Sequence, residues 1–343
     1  MNIKGFKTAR AGAPWAGAAL AAAIVVAGFG QAQAQNPLFL NVGSSSSASS
    51  QYTYWVSAGQ SIEAGTNGRI VVNVMETGAS VDNIRRMKRG EMEMGLSTGE
   101  AAGQAYYGVG AFKDDAPMKN LRTLWFYAAL PAIYVVRADA NVSAPSDLQG
   151  KAYNAGIPGS STEAQTRAVF STLGISADLT ARATADAIDA LRDGRIVGFT
   201  KAAASATVVD ASFMELNTTV DVRILGFGKD QIAKVIEEHP YYSATTVPAG
   251  VYPGQDQPIQ TLAAAAGGVA TVESLSEQDA YEIVKAIFEQ KQIQVDAYPA
   301  AGRVDYGPLS IELATIPFHA GAIRYFREIG IDVPDRLVPP EAK

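Results

Sequence analysis

Three loops of this sequence are rich in hydroxyl side chains and glycine, and each follows a predicted strand. The loops cover residues 43–50, 77–83 and 156–162. Ligands of open α/β sheets bind beyond the carboxyl ends of the strands, where the unpaired amides of helix N-termini favour negative charge. The loops therefore predict a site for a small oxygen-rich anion, although serine, threonine and asparagine are also ordinary helix caps.

Two further side chains lie close to predicted strand ends. Tyr52 follows the first loop, and Lys201 follows the predicted strand at 196–200. A phenol and an ammonium group would suit a carboxylate ligand, whereas the alternatives are a core tyrosine and a solvated surface lysine. The candidate ligand-binding residues are Ser45, Ser46, Ser47, Tyr52, Ser80, Asn83, Ser160, Ser161, Thr162 and Lys201.

Alternating strand and helix patterns must position these loops. Short apolar or β-branched runs at 37–42, 70–75 and 92–97 alternate with segments of helical spacing, and the alternation returns between 121 and 227. This order predicts an α/β fold in which parallel strands are covered by helices. Separate strands are expected at 121–129 and 133–138.

The chain is expected to form two lobes with a cleft between them. Extended crossings near 134–137 and 245–252 divide it into a first lobe of residues 35–134 and 245–343 and a second lobe of residues 135–244. No fixed-period repeat is visible, and the length suits two domains.

Residues 1–34 have the pattern of a secretory signal peptide. Three basic residues precede an apolar stretch and a small-residue motif that ends at Ala34, so cleavage after Ala34 is predicted; a retained membrane anchor is the alternative. Cleavage would lower the formal net charge from −6 to −9. We therefore expect an exported, periplasmic monomer that binds no nucleic acid, because an acidic surface repels it.

The composition also limits the possible chemistry. The sequence has no cysteine, which excludes thiol catalysis and cysteine metal sites, and only two histidines, His239 and His319. No nucleophile elbow, zinc-protease motif or phosphate loop is present. We expect no catalytic residue, no metal and no cofactor, with a secreted hydrolase as the alternative from another class.

Taken in order, the loops resemble those of the TAXI family, the solute-binding receptors of one class of TRAP (tripartite ATP-independent periplasmic) transporters. The resemblance runs across almost the whole chain after residue 34. Its matching stretches are Gly43-Ser44 with Tyr52, residues 77–84, 90–95, 147–151 and 159–162, Asp193-Gly194, and residues 316–325.

The resemblance implies a two-lobed, type II periplasmic binding-protein fold that closes on its ligand without catalysis. It also implies delivery to a membrane permease driven by an ion gradient, and a ligand such as a glutamate-like amino acid or a dicarboxylate such as 2-oxoglutarate. Ser46, Ser47 and Ser161 stand where relatives usually have glycine, which narrows the pocket or adds a hydroxyl. The alternative is a periplasmic sensor that signals to a membrane kinase, which the sequence does not distinguish from a transport receptor.

Overall fold

The computed structural model describes residues 37–209 and 211–343, so the predicted signal peptide lies outside the described residues. The strands are β1 (Leu38–Gly43), β2 (Ile70–Met75), β3 (Met94–Thr98), β4 (Leu121–Arg137), β5 (Ala152–Asn154), β6 (Asp178–Thr180), β7 (Gly198–Ala202), β8 (Val222–Leu225), β9 (Ser243–Val247) and β10 (Ile259–Thr271). The α-helices are α1 (Ser50–Gly65), α2 (Ser80–Lys88), α3 (Gly99–Tyr107), α4 (Ser161–Leu173), α5 (Thr184–Arg192), α6 (Ala211–Asn217), α7 (Lys229–Glu238), α8 (Glu277–Glu289), α9 (Lys291–Ala297), α10 (Tyr306–Leu313) and α11 (Ala320–Glu328). Within these ranges, every helix is too short or too polar to span a bilayer.

The strands form two sheet regions that share β4. In the first region, β1 pairs in parallel with β2 and β3, and β10 pairs antiparallel with β3, β4 and β9. In the second region, β5 pairs in parallel with β6 and β7, and β4 pairs antiparallel with β7 and β8. The predicted α/β fold class is confirmed, whereas the expectation of parallel pairing holds only away from β4 and β10. The lobe boundaries stay predictions.

β4 is one continuous strand, which corrects the expectation of two. Proline has no amide to donate, so Pro131 reads in the sequence as a break. In the structure the Pro131 carbonyl accepts a hydrogen bond from the Ala203 amide at 2.8 Å. Pro131 stands where β4 passes from its partner β10 to its partner β7, so its missing donor interrupts neither ladder.

The strand β10 was not predicted, because its alanines and glycines have low strand propensity. The structure gives a reason for those small residues. A Cβ added at Gly267 would lie 2.0 Å from the Trp125 carbonyl oxygen, and one at Gly268 would lie 2.8 Å from the Trp125 ring. Small residues therefore let β10 lie against β4 beneath a bulky aromatic core.

Trp125 and Tyr127 on β4 belong to that core. Both side chains are fully buried, and the Trp125 indole Nε1 donates to the Tyr54 hydroxyl at 2.9 Å. Tyr54 in turn donates to the Gln294 amide oxygen at 3.0 Å. The buried polar groups of Trp125 and Tyr54 thus each have a partner, as burial without water requires.

Candidate functional site

A cavity of about 60 Å³ lies where loops of the two sheet regions meet. Six of the predicted residues line it: Ser45, Ser80, Ser160, Ser161, Thr162 and Lys201. Loops far apart in the sequence therefore meet around one cavity.

Five helices begin at this cavity. Its wall includes the capping residues Ser49, Ala79, Thr98 and Ser160 of α1, α2, α3 and α4, and Thr184, the first residue of α5. Each helix N-terminus carries a partial positive charge from its aligned peptide dipoles. The cavity therefore has a positive potential of backbone origin.

The second and third loops contact each other. The amides of Val81 and Asp82, in the first turn of α2, donate to the Gly159 carbonyl at 3.0 and 3.2 Å. A Cβ at Gly78 would lie 2.5 Å from the Pro158 carbonyl oxygen, so glycine permits this approach. These α2 amides are therefore already satisfied, and a ligand would have to use other donors.

Arg182 is the principal cavity residue that the sequence reasoning missed. It follows β6, and its backbone amide donates to the Gly156 carbonyl at 3.1 Å. The side-chain Nε is buried without a hydrogen-bond partner, and Arg182 forms no ion pair with any residue in the described ranges. A guanidinium that is left unpaired beside a cavity is suited to a bidentate carboxylate or sulfonate.

Two neutral polar atoms in the wall also lack partners. Asn154 is 1% exposed and its Oδ1 accepts no hydrogen bond, while Ser45 is 2% exposed and its Oγ is unpaired. Buried polar groups without partners are rare and costly unless a ligand or water satisfies them. Their presence supports this cavity as the ligand site.

Lys201 lines the cavity but is held by the protein. Its Nζ donates to the Ser212 hydroxyl of α6 at 2.7 Å, and the side chain is half-buried. The sequence offered the alternative of a solvated surface lysine, and the structure places this ammonium group at the cavity wall instead.

Four predicted residues do not line the cavity: Ser46, Ser47, Tyr52 and Asn83. Ser46 is buried, and its carbonyl accepts from the Ser49 amide. Ser47 is exposed and bonds to the Glu76 carboxylate, and Tyr52 is half-buried on α1. The Asn83 side chain donates to the carbonyls of Ser44 and Leu96 at 2.8 and 2.9 Å.

Replacing Asn83 with alanine is expected to lower the free energy of unfolding by about 2 kcal/mol, because two buried carbonyls lose their donor. Urea unfolding of the ligand-free protein measures this change. Asn73→Ala is the matched control, since Asn73 is exposed and bonds only to the Asn41 side chain. If Asn83→Ala were as stable as the control, Asn83 would not hold the first loop in place.

Glu100 is a buried carboxyl group in the first turn of α3, two residues after the wall residue Thr98. It is 2% exposed, its Oε1 accepts from the Tyr242 hydroxyl and from the Gln104 amide at 2.9 Å, and its Oε2 has no partner. Burial raises the pKa of Glu100 to about 7, although the two hydrogen bonds oppose this. The group is therefore largely protonated in mildly acidic solution.

The two histidines contact other groups of the fold. His319 is buried, its Nδ1 accepts from the Gly321 amide at the start of α11, and burial lowers its pKa. His239 lies 3.2 Å from the Thr172 hydroxyl at the end of α7. Neither lines the cavity, and the described residues hold no group of three acidic or histidine side chains able to bind a metal.

The fold is similar to those of several solved structures. It is similar to the structure of a protein from Bordetella bronchiseptica RB50, at 13% identity over 90% of this chain and 95% of that chain, with a TM-score of 0.50. It is also similar to a TRAP periplasmic solute-binding protein from Sulfitobacter sp. NAS-14.1 with bound β-D-galacturonate (12% identity, 87% and 88% coverage, TM-score 0.47). The alkanesulfonate-binding protein SsuA from Xanthomonas axonopodis pv. citri, bound to MOPS, matches at 14% identity (90% and 99% coverage, TM-score 0.46).

At such identities these similarities concern the fold alone. A sequence model of the NMT1-like family matches residues 42–330, which is most of the chain. The chain therefore belongs to the NMT1-like family.

Proposed function

We propose that this protein is an exported solute-binding protein of a TAXI-type TRAP transporter. In this function it captures a small organic acid in the periplasm and delivers it to the membrane permease, without catalysis. The resemblance of the loops at 43–52, 77–84 and 159–162 to that family supports the transporter class. The observation that carries the ligand class is the convergence of five helix N-termini and an unpaired Arg182 on one cavity.

The acid group of the ligand would pair with Arg182, and its remaining oxygens would accept from wall hydroxyls such as Ser45, Ser161 and Thr162. Exclusion of water by the bound ligand strengthens each of these bonds, because the local dielectric constant falls. The resemblance suggests glutamate-like amino acids or dicarboxylates as ligands. Export would release a mature chain that begins at Gln35, which intact-mass measurement of periplasmic protein can check.

A thermal-shift screen tests the ligand class. The panel contains monocarboxylates, dicarboxylates, amino acids, sulfonates and neutral sugars. An acid at a hundredfold excess over its Kd is expected to stabilise the protein by about 2.7 kcal/mol and to raise Tm by a few degrees. Stabilisation by sugars but by no acid would overturn the proposal.

A further inference from the structure

The charge of the cavity wall restricts which charged groups an acidic ligand can carry. Arg182 and Lys201 line the cavity, and among the described residues the wall contains no aspartate or glutamate. The five helix N-termini add partial positive charge to the same space. The unpaired Arg182 and these dipoles therefore favour an anionic group, whereas the Lys201 ammonium is already bonded to Ser212.

An amino acid would bring an ammonium group into this positive environment. A buried ammonium needs a carboxylate partner, because desolvation of an unpaired charge is costly. Asn154 offers a neutral oxygen, which can accept a hydrogen bond but leaves the positive charge uncompensated. Helix N-termini add repulsion, since they present amide donors and the positive ends of dipoles.

The size and apolar part of the wall restrict the rest of the ligand. The cavity is small, at about 60 Å³, which favours a short ligand. Leu96, Leu130, Ile157 and Phe199 form much of the remaining wall. These side chains suit a short hydrocarbon body better than a second charged group.

We infer that the ligand is a short organic monoanion without an ammonium group, such as a short-chain 2-oxo or unsubstituted carboxylic acid. The acid group pairs with Arg182 and the short body contacts the apolar side chains. This inference rests on the proposed function and narrows it, because it excludes glutamate-like amino acids and disfavours dicarboxylates.

Matched ligand pairs test the inference by isothermal titration calorimetry. The protein is unfolded in urea, dialysed to remove bound solute and refolded before titration. The pairs are pyruvate and alanine, 2-oxobutyrate and 2-aminobutyrate, and 2-oxoglutarate and glutamate, with butyrate as a simple acid. The short acids are expected to bind at least about 100-fold tighter than their amino partners, because only the amino acids bury an unpaired ammonium.

The outcomes separate this inference from the proposed function. An amino acid that binds as tightly as its oxo partner, or 2-oxoglutarate as the tightest ligand, would overturn the inference and leave an acid-binding protein. If no acid bound and a neutral solute did, the proposed function itself would fail.

A charge change in the wall provides a second test. Asn154→Asp introduces a carboxylate of the same shape at a position where the amide oxygen is unpaired. We expect it to weaken the preferred acid at least about 100-fold while affinity for the amino partner falls less or rises. Asn73→Asp, on the exposed face of β2, is the control. An unchanged preference in a folded Asn154→Asp protein would contradict the assignment of this cavity.

Discussion

Replacing Arg182 with methionine is expected to weaken binding of the preferred acid about 100-fold or more, which corresponds to about 3 kcal/mol. Each charge-assisted hydrogen bond contributes about 1.5–3 kcal/mol, and a bidentate acid would lose two of them. The side chain forms no ion pair with the described residues, and its Nε is unpaired, so Tm of the ligand-free protein should change little. Calorimetric titration and ligand-free thermal unfolding measure the two quantities.

Two further variants sharpen this prediction. Arg182→Lys keeps the charge but loses the planar fork, so an intermediate affinity is expected. Arg195→Met is the matched control, because Arg195 pairs with Asp193 on the surface and does not line the cavity. Equal affinities for the wild-type protein and Arg182→Met would show that the acid group binds elsewhere.

Replacing Glu100 with glutamine is expected to remove about 3 kcal/mol of pH dependence from the free energy of unfolding. The pKa of Glu100 is about 7 in the folded protein and has a reference value of 4.5, so the native state binds the proton more tightly. Its contribution to stability is therefore fully present below about pH 4.5 and is lost as the pH rises through 7. A pKa difference of this size corresponds to about 3 kcal/mol.

Urea unfolding at pH 5 and pH 8 measures this effect. The wild-type protein should lose stability between these values, whereas Glu100→Gln should lose less, because glutamine is uncharged at both and still accepts from Tyr242 and Gln104. Glu215→Gln is the control, since the Glu215 side chain is 72% exposed and its variant should follow the wild-type curve. An identical pH response in wild type and Glu100→Gln would assign the dependence to other groups.

Local signals in the sequence predicted many elements correctly. Glycine commonly ends helices, and Gly174 ends α4, because glycine there adopts a φ of 69°, which other residues rarely do. The capping pattern at Ser276 likewise marks the start of α8, where the Ser276 hydroxyl accepts from the Asp279 amide. Such features depend on a few neighbouring residues and can be read without the fold.

Features that depend on distant packing were missed. The alanines and glycines of β10 gave no strand signal, since their small size serves the contact with Trp125. Arg182 follows β6, a strand of three residues that is too short to show a pattern. The helix α3 was also missed, so Thr98 could not be predicted as one of the capping residues in the cavity wall.

The candidate site was predictable only in part, because it depends on both local signals and distant contacts. Hydroxyl-rich loops at strand ends predict the general location of a ligand site. Ser80 and Ser161 of these loops do line the cavity. Which side chains in such loops turn inward is decided by contacts elsewhere. Asn83 holds the carbonyls of Ser44 and Leu96, and Ser47 turns out to Glu76, so neither is in the cavity wall.

The order of the strands has a consequence for folding. β3 lies between β1 and β10, yet β10 is encoded near the other end of the chain. Until β10 is available, β3 has no partner on that side, and pairing between distant segments is slow. The first sheet region is therefore completed only when residues 259–271 have joined it.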